Sequence, residues 1–249
     1  MNAEAFAEAG TSWTGGPAEP RLAAGSIHVW SADLDELGEE LAVRLCESER
    51  QRANRIAGQR ERRRWSLGRG LLRTLLARYV RCDPLTLRLT VSSDGKPVLD
   101  TCERPSGDVS GRVVAQPFFN LSHSGPLALY AFSAAGPVGV DVEVRRRRID
   151  AVGIARRVFG QAEALRLEAL DPADRQEEFL RAWVRHEAQL KCLGTGFGGV
   201  GPRTGSGDHR LWVSELDIGP GGAAAVASAE APSELHCFGW PSRPSAPAS

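Results

Sequence analysis

The chain has 249 residues, of which 42% are hydrophobic and 25% charged, and 31 basic residues balance 31 acidic ones. This composition excludes wholesale disorder, and the length allows one large domain or two fused smaller ones. A neutral chain lacks the excess positive charge of a general nucleic-acid coat, so the clusters Arg60, Arg62 to Arg64 and Arg145 to Arg148 indicate a specific acidic partner.

The sequence shows no sign of export or of membrane insertion. No basic segment followed by an apolar core stands near the N-terminus, and no apolar run reaches the roughly 18 residues of a membrane span. The five cysteines are scattered singly, with none at CxxC spacing: Cys46, Cys82, Cys102, Cys192 and Cys237. We therefore expect reduced thiols and a cytoplasmic protein, rather than a zinc site or a disulfide framework.

Strand and helix patterns are mixed along the chain, which favours an α+β fold. The first block contains predicted strands at Ile27–Trp30, Leu85–Val91, Phe118–Leu121 and Leu127–Ser133, and a turn at Ser93–Pro97. It also contains predicted helices at Asp33–Leu45 and Arg60–Tyr79, the latter with an apolar stripe of five leucines and Tyr79. The second contains strands at Val138–Val144, Leu211–Asp217, Ala223–Ala227 and Leu235–Phe238, a helix from about Ile154, and another at Asp174–Leu193 that Gly194 ends.

The two blocks carry a weak internal repeat. The segment Trp65–Arg73 can be laid over Trp183–Lys191, with tryptophan, leucine and a terminal cation at matching offsets. We therefore predict two related α+β lobes, over 26–136 and 137–240. The stretches 1–25 and 241–249 are rich in small residues and proline, and they are predicted to be a flexible extension and a disordered tail.

Two carboxylates lie close together on the predicted strand Val138–Val144. Alternation places Asp141 and Glu143 on one face, about 7 Å apart, where they can approach one hard cation from the same side. An isolated D-x-E on a strand is also what a solvated sheet face looks like.

The helix that ends at Leu193 carries a second candidate group. Phe179, Trp183, Glu187 and Lys191 recur every four residues and form one ridge, aromatic at one end and charged at the other. Such a ridge suits a helix that runs from a core to a cleft. Alternatively, Glu187 and Lys191 form an ordinary ion pair on a helix surface.

A third candidate is the segment Phe118–Gly125, in which an apolar strand runs into Asn, Ser, His, Ser and Gly. Its hydroxyl, imidazole and backbone N–H groups suit phosphate oxygens. The same residues also suit a turn that closes a hairpin, with His123 a half-buried side chain.

Taken together, the three segments resemble the 4′-phosphopantetheinyl transferase family. That family shows F-N-x-S-H-S-G, then a G-[IV]-D-[IV]-E strand, then a W-x-x-K-E-x-x-x-K helix. Here the matching segments are Phe119–Gly125, Gly139–Glu143 and Trp183–Lys191. The resemblance covers roughly residues 27–231, taking in Arg52, Arg55 and Arg64, Gly95-Lys96-Pro97 and Gly194-Thr-Gly196.

The resemblance implies an enzyme that moves phosphopantetheine from coenzyme A to a serine of an apo acyl or peptidyl carrier protein and releases adenosine 3′,5′-bisphosphate. It implies Mg²⁺ held by Asp141, Glu143 and Glu187, with Glu187 as general base and Lys191 countering charge on the phosphates. It also implies that coenzyme A contacts the following residues: Arg52, Arg64, Lys96, Ser122, His123 and Lys191.

The length matches the longer, two-lobed (Sfp-type) subgroup, which implies a monomer with its active site in the cleft between a pseudo-twofold pair of lobes. This type typically serves polyketide or nonribosomal peptide carriers, and no motif reports which carrier this chain prefers. No membrane or nucleic-acid partner is expected.

One departure from the family pattern leaves alternatives open. His186 stands where the family has its first helix lysine, and a histidine donates to phosphate as a cation only when protonated. A weakly active or inactive relative that binds coenzyme A or a carrier is therefore one alternative. A polyanion-binding protein that uses its arginine clusters is another.

Overall fold

The computed structural model describes residues 11–92, 95–102, 116–145, 149–194 and 211–241. They form a mixed α+β fold, as the sequence predicted. The strands are β1 Trp13–Gly15, β2 Ser26–Asp33, β3 Leu87–Val91, β4 Pro97–Cys102, β5 Phe118–Ser124, β6 Leu127–Ser133, β7 Val138–Val144, β8 Trp212–Glu215, β9 Gly222–Ser228 and β10 Glu234–Gly239. The α-helices are α1 Glu47–Asn54, α2 Gln59–Val80, α3 Ala151–Val158, α4 Gln161–Glu168 and α5 Pro172–Leu193. Short 3₁₀ helices span Glu39–Arg44 and Pro84–Thr86.

A five-stranded sheet in the order β1-β10-β2-β6-β5 forms the centre of the described fold. β1, β10 and β2 run parallel, whereas β6 pairs antiparallel with both β2 and β5. Helix α2 covers one face of this sheet, and its predicted apolar stripe is buried there against Trp30, Tyr130 and Phe132. The stripe consists of Leu67, Leu71, Leu72, Leu75, Leu76 and Tyr79.

The other face of the five-stranded sheet packs on a three-stranded sheet in the order β7-β9-β8. Alternate residues Val138, Val140 and Val142 of β7 point into this core. Helix α5 packs on the opposite face of the small sheet, where Val184 and Ala188 meet the alanines of β9. The resulting order of layers is α2, large sheet, small sheet, α5.

The helix predicted over Asp33–Leu45 is wrong, because only Glu39–Arg44 is helical and the helix is 3₁₀. Arg63 reaches across from α2 and donates to the carbonyl oxygens of Leu34, Asp35 and Leu37. Long-range hydrogen bonds of this kind take the acceptors that an α-helix would use within its own turns.

Other boundaries differ from the predictions in smaller ways. The helix predicted from about Ile154 begins at Ala151 and is broken after Val158, because Gly160 has φ 95°. Strand β4 and helix α1 have no counterpart among the predicted elements.

The segment predicted to be a flexible extension, 1–25, contains β1, which pairs with β10. Strand β10 lies in the predicted second lobe, yet it also pairs with β2 of the first. The predicted tail from 242 onward, like Ser93, Asp94, Thr195, Gly196 and Arg146 to Arg148, lies outside the described residues.

Within the part of the chain that the structure describes, no helix is both long enough and apolar enough to cross a membrane.

Candidate active site

Side chains of β5 hydrogen-bond to the first two candidate acids on β7. Ser122 Oγ donates to Asp141 Oδ1 at 2.7 Å, and Ser124 Oγ donates to Glu143 Oε2 at 2.7 Å. Asn120 Oδ1 accepts the backbone N–H of Val140 at 3.2 Å. Because 120, 122 and 124 alternate along β5, their side chains share one face, and that face meets β7. The predicted segment Phe118–Gly125 therefore makes direct hydrogen bonds to the predicted acids of β7.

Asp141 and Glu143 lie on the same face of β7, as predicted. Val140 and Val142 point the other way, into the core between the sheets. In the register of β7 with β9, Asp141 stands opposite Ala225, which packs towards α5. The two acids therefore belong to the face of the small sheet that α5 covers.

Gly139 allows α5 to lie close against this face of β7. A Cβ at Gly139 would stand 2.0 Å from the carbonyl oxygen of Ala188 and 2.5 Å from the backbone nitrogen of Cys192. Glu187 and Lys191 lie on this part of α5, so the close approach brings them to the acids of β7. Glu187 is 7% exposed and Asp141 is 5% exposed.

Lys191 neutralises Asp141 in this arrangement. Its Nζ donates to Asp141 Oδ1 at 2.6 Å and to the carbonyl oxygen of Val140 at 3.2 Å. Oδ2 of Asp141 is buried and has no hydrogen-bond partner among the described residues. A buried carboxylate oxygen without a partner is uncommon and indicates that a further group belongs there.

The chemistry of the donor set fits a divalent metal ion. Asp141, Glu143 and Glu187 offer the hard oxygen ligands that Mg²⁺ prefers, and the unsatisfied Oδ2 of Asp141 is one of them. As the side chains stand, no three histidine, cysteine or carboxylate groups within the described residues are arranged to hold a metal ion. Ser122, Ser124 and Lys191 take the carboxylate oxygens instead, so the metal site remains a prediction.

Burial raises the pKa of the Glu187 carboxyl above its ordinary 4.5. The charge of Asp141 raises this pKa further, Lys191 lowers it, and Glu143 raises it. Asp141 and Glu143 therefore repel the ionised Glu187 carboxylate, and a bound cation would relieve that repulsion.

We expect Glu187→Gln to stabilise the metal-free fold at neutral pH. A carboxyl whose folded pKa lies above the unfolded 4.5 destabilises the fold when it is ionised, and this cost disappears as the pH falls through the folded pKa. The urea midpoint of Glu187→Gln should therefore exceed that of the unaltered chain at pH 7, and the difference should shrink as the pH approaches 4.5. Equal midpoints at both pH values would contradict a raised pKa.

A cavity of about 770 Å³ opens beside these acids. Of the nine residues predicted for the site, eight line it: Arg52, Arg64, Lys96, Ser122, His123, Glu143, Glu187 and Lys191. Asp141 does not line it, but Asp141 hydrogen-bonds to Ser122 and Lys191, which do. The volume is within the usual range of small-molecule sites, and the mixture of cations with carboxylates suits a phosphorylated ligand that arrives with a metal ion.

The two arginines predicted for the site, Arg64 and Arg52, differ in the groups that they contact. Arg64 donates through Nε and Nη2 to the two carboxylate oxygens of Asp35, at 2.7 and 2.5 Å. Its guanidinium holds the pKa of Asp35 well below its usual value. Arg52 stands 5.7 Å from the centre of the Trp65 ring, a cation–π distance.

Lys96 joins the β3–β4 hairpin to α5. Its Nζ donates to the carbonyl oxygen of Lys191 at 2.7 Å, in the last turn of the helix, where a cation is favoured by the helix dipole. His123 is exposed on β5 and lines the cavity.

His186 points elsewhere. Its ring stands edge-on to Phe159 at 5.3 Å between centroids, and it is not among the residues that line the cavity. Burial lowers the pKa of His186, so the imidazole is neutral at pH 7. Its neighbour Arg185 pairs with Glu215 instead. Neither His186 nor Arg185 therefore places a cation in the cavity.

Sequence reasoning missed Asn120, Ser124 and Arg69. Asn120 and Ser124 lie in the Phe118–Gly125 segment, and the period-two spacing N-x-S-x-S was a signal that all three side chains share a face. Arg69 lines the cavity from α2, but it was one arginine among many on an arginine-rich helix. Only tertiary contacts distinguish it from the others.

Comparisons with known proteins agree with the motifs. The model of the 4′-phosphopantetheinyl transferase superfamily matches residues 137–219, which include β7 and α5. The 4′-phosphopantetheinyl transferase HetI of Nostoc sp. is 34% identical over 188 residues, covering 74% of this chain and 76% of the relative.

Two further relatives match over shorter stretches. The 4′-phosphopantetheinyl transferase AcpT of Escherichia coli K12 is 35% identical, over 53% of this chain and 58% of its own length. The 4′-phosphopantetheinyl transferase Sfp of Bacillus subtilis 168 is 26% identical, over 61% of both chains. This chain thus spans less than two thirds of these two relatives.

Proposed function

Because the chain belongs to the 4′-phosphopantetheinyl transferase family, we propose that it transfers the phosphopantetheine group of coenzyme A to a serine of an apo acyl or peptidyl carrier protein. The proposed reaction uses Mg²⁺, takes place in the cytoplasm and releases adenosine 3′,5′-bisphosphate. The observation that carries the proposal is one cavity lined by two of the three predicted acids, Glu143 and Glu187, and by the predicted cations.

Three buried or half-buried acids would hold the metal ion: Asp141, Glu143 and Glu187. When bound, a divalent cation neutralises charge on the pyrophosphate oxygens. The unsatisfied Oδ2 of Asp141 favours a cation here, and so does the raised pKa of Glu187, which comes first from burial and then from the charge of Asp141. Ser122 and Ser124 keep Asp141 and Glu143 oriented through their hydrogen bonds.

Glu187 is the proposed general base. A new bond forms between the carrier serine oxygen and the β-phosphorus of coenzyme A, and the bond from this phosphorus to the bridging oxygen of the diphosphate breaks. The serine proton passes to Glu187, directly or through one water, and a carboxyl with a raised pKa holds that proton better than an ordinary one.

The cationic residues of the cavity would bind the phosphates of coenzyme A. Two of the three Lys191 Nζ donors contact Asp141 and Val140, which leaves one to point at the ligand. Lys96, Ser122 and His123 line the same cavity, as do Arg52 and Arg64. The cleft of a two-lobed monomer is the proposed location of this cavity, and polyketide or nonribosomal peptide carriers are the proposed substrates.

The proposal is tested by incubating the purified chain with coenzyme A, Mg²⁺ and a panel of apo acyl and peptidyl carriers. We expect at least one carrier to gain the mass of phosphopantetheine, and the gain to disappear when the metal is chelated. A serine-to-alanine variant of the modified carrier serves as the matched control. No mass change on any carrier would overturn the proposal.

The polyanion alternative gains no support from the first arginine cluster. Arg60 and Arg64 bind Asp35, Arg62 donates to the carbonyl oxygen of Ile56, and Arg63 binds Glu39 and three backbone carbonyls. These guanidiniums are therefore already engaged within the fold.

The weakly active alternative is tested by His186→Lys. Because His186 packs on Phe159 away from the cavity, we expect the substitution to change the turnover number by less than about threefold, well under the effect of a positioned acid or base. A gain of tenfold or more would instead support a weakened enzyme, since that is on the order of what a new charged contact supplies.

A further inference from the structure

Arg69 presents an unpaired guanidinium edge to the cavity. Its Nε donates to Glu49 Oε1 at 2.6 Å, and the side chain is 13% exposed. No described residue hydrogen-bonds to Nη1 or Nη2 of Arg69. Because the side chain also lines the cavity, these outer nitrogens are placed to donate to a ligand.

Glu49 holds Arg69 from a fixed position. The second oxygen of Glu49 accepts hydrogen bonds from Nε of Arg73 at 2.6 Å and from the backbone N–H of Cys46 at 3.0 Å. Cys46 is the N-cap of α1, so this contact also fixes the start of the helix. Arg73 is 1% exposed, and it donates in turn to the carbonyl oxygens of Pro84 and Leu87. Although burial by itself raises the pKa of Glu49, the hydrogen bond from Arg73 and the charge of Arg69 outweigh it, so Glu49 remains a carboxylate.

Arg64 and Arg69 differ in the donors that remain. Asp35 takes one donor from Nε and one from Nη2 of Arg64, which leaves the donors of Nη1 and the second donor of Nη2. Glu49 takes only Nε of Arg69 and leaves the planar edge that matches a phosphate in a bidentate contact.

The position of Arg69 selects one phosphate of the proposed ligand. Arg69 lies on α2, whereas the proposed metal ligands lie on β7 and α5. Ser122 and His123 of β5 line the same cavity. A pyrophosphate that shared a cation with Asp141, Glu143 and Glu187 would lie by those acids, which would leave the ribose phosphate of coenzyme A for α2.

Resting on the proposed function, we infer that Arg69 binds the 3′-phosphate of coenzyme A and that Glu49 is its positioning residue. The ribose phosphate then distinguishes coenzyme A from dephospho-coenzyme A through a charge-assisted contact that the sequence motifs do not contain.

The test is the affinity of Arg69→Met for coenzyme A and for dephospho-coenzyme A, measured by calorimetry without any carrier protein. Loss of a hydrogen-bonded charge should weaken coenzyme A binding on the order of tenfold or more and leave dephospho-coenzyme A binding unchanged. Unchanged binding of the dephospho ligand also shows that the variant is folded. Arg69→Lys keeps the charge but loses the fork, and it should recover part of the preference.

Arg60→Met is the matched control, since Arg60 lies on the same helix, carries the same charge, is 68% exposed in its side chain and does not line the cavity. Its affinity for coenzyme A should match that of the unaltered chain. Unchanged coenzyme A affinity in Arg69→Met, or equal losses for both ligands, would overturn the inference alone. An unaltered chain that binds no coenzyme A would refute the proposed function and this inference with it.

Discussion

Asp141→Asn is expected to lower kcat/KM for carrier modification on the order of 100-fold or more, the cost of removing a preorganised electrostatic contact at the reacting phosphate. The buried Oδ2 of Asp141 has no partner among the described residues, whereas an asparagine amide at that place would point N–H donors at the proposed cation. The Oδ1 that accepts Ser122 and Lys191 is preserved, so the local hydrogen bonds survive.

The metal role of Asp141 has a readout separate from turnover. A ligand that binds only the folded state stabilises it by about 2.7 kcal/mol when present at 100 times its Kd. Mg²⁺ should therefore raise the thermal midpoint of the unaltered chain and leave that of Asp141→Asn unchanged. Asp171→Asn is the matched control, because Asp171 is exposed at the start of α5 and its side chain makes no capping bond there.

Full turnover in Asp141→Asn, with the same Mg²⁺ response as the unaltered chain, would show that Asp141 does not hold the metal. A loss of turnover without a loss of the Mg²⁺ response would instead assign Asp141 to the orientation of Lys191, through the contact at 2.6 Å.

Gly139→Ala is expected to damage both stability and turnover. The new Cβ would lie 2.0 Å from the carbonyl oxygen of Ala188 and 2.5 Å from the nitrogen of Cys192, and both are backbone atoms that cannot rotate away. β7 and α5 must therefore separate by roughly 1 Å or more to reach ordinary contact distances. Overpacking of this kind costs about 3 kcal/mol of unfolding free energy.

The same separation would move Glu187 and Lys191 away from Asp141. A misplacement of about 1 Å costs on the order of 100-fold in rate. We therefore expect a lower turnover number even for the Gly139→Ala molecules that remain folded. Urea unfolding measures the stability. Turnover is measured without urea, at a temperature well below the thermal midpoint, so that it reports the rate of the folded variant.

Gly136→Ala is the control for the backbone effect of an added methyl group. Gly136 precedes β7, a Cβ there would have nothing within 4 Å, and its φ is not in the left-handed region. We expect Gly136→Ala to keep the stability and rate of the unaltered chain. If Gly139→Ala behaved in the same way, the close packing of α5 on β7 would not be what positions Glu187 and Lys191.

The sequence was most informative where a pattern repeats over a few residues. The alternation of Val140, Asp141, Val142 and Glu143 predicted which side chains share a face, and the apolar stripe of α2 predicted its buried surface. Strands β6 and β7 have the predicted bounds, Leu127–Ser133 and Val138–Val144. Local periodicity is sufficient in these cases because the neighbours along an element decide which face is buried.

The sequence was misleading where a distant residue satisfies the backbone. Asp33–Leu45 has a helical pattern, but Arg63 takes the carbonyl oxygens of Leu34, Asp35 and Leu37. Strand β1 lies in a segment without periodicity and exists through its pairing with β10, more than 200 residues later. Neither pairing leaves a trace in a short window of sequence.

By itself, the sequence indicated the family, the three motif segments and eight of the residues that line one cavity. Only the tertiary structure decided how those residues are paired. Ser122 and Ser124 hold the acids of β7, Lys191 rather than His186 provides the cation beside Asp141, and Arg69, which belongs to none of the motifs, lines the cavity while Glu49 binds only its Nε. The physical reason is that a motif fixes which functional groups are present, whereas the hydrogen bonds that orient them join elements far apart in sequence, and only packing brings those elements into contact.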